Sequence, residues 1–524
     1  MRKTMLAVAM LILLGASACT VLTAGESSRP APPGLSEPTL VLVEAPFVHQ
    51  WSKSTSHPLL AAAAIDIDRD GRDEVFLGGS DGQSDALLAW RNGQIVDIAQ
   101  SVGLGDQTAT YGALSLDFNT DGNTDLLTAG KAGLTLWLNQ NGRFDPQPLD
   151  VVFPDGAVPL AITAGDYDRD GLTDLYVSLF INAKDMRSPV FNDPTHAKSN
   201  LLLRGAGNHR FLDVSDDVTR GLQNTFTASF VDLDNDLWPD LVLAQNTGEV
   251  EILHNQQDGT FRRVDLATGF GFWMGLGFAD LHATGRLDFF LSNSGNSIPE
   301  LFTKGDLRED QRAESKWLLL KNDGEMRFAD IGAAAGLTGF GFGWGGLFED
   351  VNLDGALDLL VAENYVKWPI HKLFKLPGKL LLGGSVDAPD FFTSDAAQNK
   401  AYGHVPLLAD FNGDGKNDIV WANMDGAARI YLNETPGRFL AVRLPDNATS
   451  IGARIQLEGV KAPVQVIIAG EGLTSDRTML RVFGLPESGP VPSAVVINWA
   501  DGHSSRIDNP ALNEVIVTSR SGAL

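Results

Sequence analysis

The sequence predicts an all-β protein: a seven-bladed β-propeller followed by a small C-terminal β-sandwich or barrel-like domain. Three observations carry that prediction. An acidic loop pattern recurs seven times along the 524 residues. Each copy runs at once into a short apolar stretch of β character. Glycine (55) and proline (25) punctuate the chain at close intervals, as short strands require.

The first element is an address. Arg2 and Lys3 precede an apolar stretch from Met5 to Leu14, too short for a membrane span. Ala16, Ser17 and Ala18 then lead to Cys19, the only cysteine. Residues 1–19 read as an export signal, and their end resembles the bacterial lipobox, with Ala16 where leucine is usual. The resemblance implies lipidation at Cys19. Ordinary signal cleavage is the alternative. Thr20 rather than aspartate after the cysteine would favour onward sorting to an outer membrane. The expected location is therefore the bacterial cell envelope, periplasm or outer membrane. Residues 20–38, rich in Ser, Pro, Gly and Ala, read as a flexible tether.

Composition narrows the partners. There are 40 Lys+Arg against 66 Asp+Glu, a net charge of −26. Nucleic acid and polybasic lipid binding both need a basic field, so both are disfavoured. One cysteine excludes a disulfide framework and a cysteine-ligated zinc or iron–sulfur site.

The repeats occupy residues 39–439 and have the form D-x-[DN]-x-D-G-x-x-[DE]. The first places Asp66, Asp68, Asp70 and Glu74 around Gly71. The second has Asp117, Asn119, Asp121 and Asp125; the third has Asp166, Asp168, Asp170 and Asp174. The fourth has Asp232, Asp234, Asp236 and Asp240, with Leu237 at the glycine position. The fifth is degraded to Asp280, His282, Thr284, Gly285 and Asp288. The sixth has Asp350, Asn352, Asp354 and Asp358, and the seventh Asp410, Asn412, Asp414 and Asp418. Downstream of each lies a hairpin that usually ends on Phe, such as Leu134 to Phe144, Glu251 to Phe261 and Arg429 to Phe439. Upstream of most lies a third apolar strand. A unit of about four short strands cannot bury both faces alone, but seven arranged radially can.

The spacing suits a hard cation. Ca²⁺ takes six to eight oxygens at about 2.3–2.6 Å. Carboxylates at loop positions 1, 3 and 5 converge only if the chain turns sharply at position 6, where glycine permits it. Position 7 offers a carbonyl and position 9 closes the shell. Magnesium keeps more water and fewer carboxylates, so it fits less well. A single such loop could be a solvated turn. Six good copies in phase with a strand repeat argue for about five or six Ca²⁺ ions. Those copies hold 21 carboxylates at their four side-chain positions, and six ions would take −26 to −14. The fourth can bind if strain at Leu237 is tolerated. The fifth is expected to be empty, its Asp280 and Asp288 kept for turn hydrogen bonds.

Loops such as Asp166–Asp174 and Asp410–Asp418 resemble FG-GAP/VCBS repeats, the blades of integrin-α-type propellers. The tail, residues 440–524, resembles the ASPIC/UnbV domain through Ser450–Ile455, Gly470–Ser475, Val482–Leu485 and Val495–Gly502. The pairing is similar to bacterial relatives of cartilage acidic protein. The resemblance implies a calcium-stabilised propeller used in adhesion, assembly or ligand display, and no single chemistry. Its own alternating strands, with turns at Pro445–Asn447 and Asp501–Gly502, also mark the tail as a separate small β domain.

Function is expected away from the calcium loops. Three connections are long: Asn182–Asn200, Ser294–Lys316 and Asn364–Lys379. Long loops gathered on one face of a rigid scaffold are where binding concentrates. In the third, Tyr365, Lys367, Trp368, His371 and Phe374 form a basic, aromatic candidate contact for a protein or glycan. The glycine-rich runs 269–275 and 339–346 lack a Gly-Lys-Ser/Thr ending and read as crowded inner strands. No paired histidines and no G-x-S-x-G elbow appear. The leading expectation is a non-enzymatic partner-binding module. The alternatives are a structural subunit of an envelope complex, or a propeller hydrolase or oxidoreductase using the same face.

Overall fold

A computed structural model describes residues 29, 31–52, 55–187, 190–297, 304–364, 376–520 and 522–523. Among them, seven successive sheets follow one another, each built on four antiparallel strands; the first and fourth each gain a fifth, short strand. The third is typical: Ala157–Gly165, Asp174–Ile181, Leu201–Gly205 and Phe211–Asp213 pair in chain order. First strands of consecutive sheets lie side by side, and Gly403–Ala409 of the seventh returns to Ala62–Ile65 of the first. The sheets therefore form a closed ring, a β-propeller. Its first two strands per sheet are buried along almost their whole length, because they are sandwiched between neighbouring sheets.

The seventh sheet corrects one expected hairpin. Arg429 does lie in its third strand, Ala427–Asn433, but Phe439 belongs to the next domain. The outer strand is instead Leu40–Val48, paired from Leu40↔Asn433 to Val48↔Ala427. A ring needs first and last elements joined, and a local hairpin cannot do that. The N-terminal strand closes it through main-chain bonds. Residues expected to be tether are also engaged at this seam. The Ser36 carbonyl accepts from Asn352 Nδ2 at 2.9 Å, and Glu37 hydrogen-bonds Ser394.

Close packing explains the glycine-rich runs. A Cβ on Gly275 would lie 2.5 Å from the carbonyl oxygen of Trp344, in the first strand of the next sheet. At the end of the channel away from the acidic loops, buried rings fill the space. Trp344 contacts His404 and Phe226 at centroid distances of 5.2 and 6.0 Å; Phe226 stacks on Phe180, and His57 meets Phe180 and Tyr111 edge-on.

The C-terminal domain holds two four-stranded sheets. One contains Arg438–Arg443, Leu480–Leu485 and Val515–Ser519; the other contains Arg454–Glu458, Ala494–Asn498 and Ser504–Asp508. Its independence was overestimated from sequence. After the two-residue strand Gln465–Val466 the chain runs into the propeller channel. Ser475–Asp476 pair in parallel with Ala62–Ala63 of the first sheet. Single bridges join Ala469 to Ala164 and Gly472 to Leu276. This plug segment is polar and bonds to six of the sheets. Asp476 takes the Ser115 amide and hydroxyl, Glu471 takes the Phe278 amide, and Arg477 binds the Phe348 carbonyl and Glu349. Thr474 donates to the Leu60 carbonyl, and Thr478 N–H to the Leu408 carbonyl. Among the described residues no helix is long and apolar enough to cross a membrane.

Candidate metal centre

Each acidic loop joins the first strand of a sheet to the second. The long connections join the second to the third, so the two sets leave opposite ends of the second strand. In the third loop Arg169 and Gly171, positions 4 and 6, have φ of +57° and +86°. Those two left-handed residues fold the chain back on itself. Gly171 N–H then donates to Asp166 Oδ2 at 3.0 Å, and Leu172 N–H to Asp170 Oδ1 at 2.9 Å. The other loops repeat this geometry. In the fourth, Leu237 adopts φ +71° and still donates to Asp232 Oδ2 at 3.1 Å.

The ninth position does more than the sequence suggested. Asp174 Oδ2 accepts from Tyr167 N–H at 3.0 Å, and Oδ1 from Gly205 N–H on the third strand at 2.8 Å. Asp125, Asp240, Asp358 and Asp418 repeat both bonds. Each ninth-position carboxylate thus pins its loop to its own sheet while keeping lone pairs for a cation. Burial pushes these acids up: Asp125 to about 7, Asp174 and Asp240 to about 8, and Glu74 to about 8. Such buried carboxylates favour either a proton or a cation.

A second set of residues was missed. Asn139, Asn255 and Asn433 end third strands and Asn322 lies two residues before the end of one, and each reaches the position-2 carbonyl of another sheet's acidic loop. Their amides donate to Ile67, Tyr167, Leu233 and Val351 at 2.9, 2.9, 2.8 and 3.1 Å. The signal was present as an Asn recurring at the end of the runs Leu136–Asn139, Ile252–Asn255, Leu320–Asn322 and Tyr431–Asn433.

Carboxylate convergence varies among loops. One oxygen each from Asp66, Asp68 and Asp70 lie within 4.8 Å of one another, as do those of Asp166, Asp168 and Asp174. A third group joins Asp234 and Asp236 to His254, a third-strand residue the sequence did not single out. In the second, sixth and seventh loops the position-3 amide turns its nitrogen onto the position-5 acid. Asn119, Asn352 and Asn412 donate to Asp121, Asp354 and Asp414 at 3.0, 2.9 and 3.3 Å. In the fifth, Asp280 and Asp288 make the turn hydrogen bonds expected of them. Asp280 takes the Thr284 and Gly285 amides, and Asp288 takes His282 Nδ1 at 2.8 Å.

Protein cations also enter the loops unevenly. Arg91 pairs with Glu74 at 3.0 Å and Asp68 at 3.5 Å. Lys416 pairs with Asp414 at 3.2 Å. Arg443 and Arg454 of the C-terminal domain reach Asp73 and the Gly285 carbonyl. The third loop has no such ion pair among the described residues. Its Asp166 Oδ1 is buried and has no donor. An oxygen left in that condition costs about 1–3 kcal/mol, which a cation would relieve. The third loop therefore fits a hard cation.

The sixth loop is enclosed. Asp350 and Asp358 are buried, and Asp350 Oδ2 accepts from Gly484 N–H of the C-terminal domain at 3.0 Å. On the opposite face, two long connections meet. Asp306 accepts from the Phe191 and Asn192 amides at 2.5 and 3.0 Å. Beside them lies a cavity of 340 Å³ walled by Asn192, Pro194, Lys198, Ser199, Leu222 and Gln223. Cys19 and the aromatic contact at Tyr365, Lys367, Trp368, His371 and Phe374 lie outside the described residues.

Fold and loops together define a β-propeller built from repeated acidic-loop sheets and sealed by a C-terminal β domain. A model of the FG-GAP-like repeat matches residues 117–177, 232–291 and 410–456, and one of the ASPIC and UnbV domain matches residues 444–523. The chain is thus an FG-GAP-repeat propeller protein with a C-terminal ASPIC/UnbV domain. No curated protein matches it. Among solved structures it is similar to a lectin of Agrocybe aegerita described as recognising non-reducing terminal N-acetylglucosamine. That match has 15% identity, 72% of this chain, 91% of the lectin and a TM-score of 0.40. It is also similar to BBS1N in complex with ARL6DN, with 10% identity, 75% of this chain, 97% of that one and a TM-score of 0.42.

Proposed function

We propose that this protein is an exported, calcium-binding propeller that presents the face opposite its acidic loops to a protein or glycan partner at the cell envelope. The observation that carries the calcium reading is the third loop. It brings one oxygen each of Asp166, Asp168 and Asp174 within 4.8 Å of one another, supplies no ion-pair partner among the described residues, and leaves Asp166 Oδ1 buried without a donor. Asp166, Asp168, Asp170 and Asp174 would hold the ion, with the Leu172 carbonyl as a fifth donor. The ion would supply positive charge and nothing redox-active. The C-terminal domain supports the partner reading, because it packs against the loop end and fills the channel there. The opposite face keeps the two joined connections, the 340 Å³ cavity and Leu222, which is 59% exposed. Anchoring through Cys19 belongs to the same reading.

Thermal unfolding of the mature chain with and without a calcium chelator, alongside native mass spectrometry, tests it. Bound calcium and a lower melting temperature on chelation are expected. Each ion held at a hundredfold its dissociation constant adds about 2.7 kcal/mol. No bound calcium and an unchanged melting curve would overturn the calcium reading. Partner binding that survives Leu222→Asp but is lost with Arg506→Ala, on the C-terminal domain, would overturn the choice of face.

A further inference from the structure

The fourth loop looks like the third in sequence but not in its surroundings. His254 Nε2 lies 3.0 Å from Asp234 Oδ2. The other ring nitrogen, Nδ1, lies 3.2 Å from Gln256 Nε2 and 3.3 Å from Arg262 Nη2. A guanidinium can only donate, so Nδ1 must be the acceptor. A neutral ring accepting at Nδ1 carries its proton on Nε2, and that proton points at Asp234. A metal-bound histidine does the reverse: it binds through one nitrogen and donates the other N–H to an acceptor. Here the other nitrogen faces donors.

The rest of the loop is occupied in the same way. Gln257 Nε2 donates to Asp236 Oδ2 at 2.7 Å, and Trp238 N–H to Asp236 Oδ1 at 2.8 Å. Asp232 receives the Asp236 and Leu237 amides, and Asp240 those of Leu233 and Asn255. The third loop, by contrast, has no side-chain donor on any of its four carboxylates among the described residues.

We propose that His254 takes the cation's place in the fourth loop, so that Asp232, Asp234, Asp236 and Asp240 hold no calcium while the third loop does. This rests on the calcium reading of the other loops. It removes one ion from the count that the sequence pattern implies. Asp234 Oδ1 is buried without a donor. The loop therefore keeps acceptor capacity, and removing the imidazole should admit an ion.

Native mass spectrometry on the chelator-treated full chain, retitrated with CaCl₂, counts ions on wild type, Asp166→Asn, Asp234→Asn and His254→Ala. Circular dichroism confirms that each variant is folded. The expected counts are one fewer for Asp166→Asn, no change for Asp234→Asn and one more for His254→Ala. An ion lost in Asp234→Asn, or none gained in His254→Ala, would overturn the assignment. A parallel titration with ZnCl₂ covers the other use of the imidazole. A zinc ion present in wild type and lost in His254→Ala would make His254 a ligand and overturn it too. Zero calcium on wild type together with one ion gained by His254→Ala would sink the calcium reading of the third loop and leave standing only the exclusion of the ion from the fourth by His254.

Discussion

Arg443, in the first strand of the C-terminal domain, holds Asp73 of the first acidic loop through both guanidinium nitrogens, at 2.8 and 3.4 Å. Both side chains are buried. Asp66, Asp410 and Asp446 stand around the same pair, so one arginine serves acids from the first sheet, the seventh sheet and its own domain. Arg443→Ala would leave those carboxylates without their cation. It should cost about 3–5 kcal/mol, the range for breaking one half of a buried pair. The double variant Arg443→Met, Asp73→Leu should cost less than the single change. Urea unfolding of the three proteins measures the difference. Equal losses in single and double variants would show that packing, not charge, dominates here.

Leu237 is the one good-copy loop residue at position 6 that is not glycine, and it sits at φ +71°. Left-handed backbone costs a branched L-residue about 1–2 kcal/mol. Leu237→Gly should raise stability by up to about 1 kcal/mol after the added unfolded-state entropy is subtracted. Leu237→Ala should give no gain, because the Cβ strain remains. A thermal melt that falls for the glycine variant would mean that Leu237 contributes more by packing than it loses in strain.

The plug predicts cooperativity. Asp476 accepts from the Gly470 amide, the Ser115 amide and the Ser115 hydroxyl, all within 2.9 Å. Asp476→Ala orphans buried donors in both domains and should cost about 2–4 kcal/mol. Hydrogen exchange should find the amides of Ser115, Leu276 and Gly470 opening together, since they share one network. Faster exchange at Gly470 alone would make the C-terminal domain an independent unit.

Acid should weaken the channel's aromatic end. Burial lowers His57 to about 4 and His404 to about 3, and it lowers His49 to about 4. The unfolded chain takes up protons at each near pH 6.5, while the folded chain stays neutral. Their stabilisation is complete above pH 6.5 and is lost as pH falls towards 4. Between pH 7 and 5.5 each should cost about 1 kcal/mol. His57 donates from Nε2 to the Ile181 carbonyl at 2.8 Å, a bond an asparagine amide can imitate. His57→Asn should therefore shrink the acid loss by that amount at fixed calcium. An unchanged pH slope would show that His57 titrates freely in the folded protein.

Much of this architecture is local, and local features are what a sequence displays. The acidic positions, the left-handed glycine at position 6 and the apolar runs that follow are set within about nine residues of one another. They repeat, so Asp166–Asp174 and its relatives could be read directly. Asn139, Asn255, Asn322 and Asn433 were equally periodic, but their role was not legible because their partners lie in another sheet. What only the tertiary structure decided involves residues far apart in the chain. Leu40 closes on Asn433, Asp476 enters beside Ser115, and His254 meets Asp234 across a hairpin. The repeat determined that there would be a ring of sheets with acidic turns. Ring closure, the occupant of the channel and the counter-charge in each loop depend on which distant groups come to rest against those turns, and no periodicity records that.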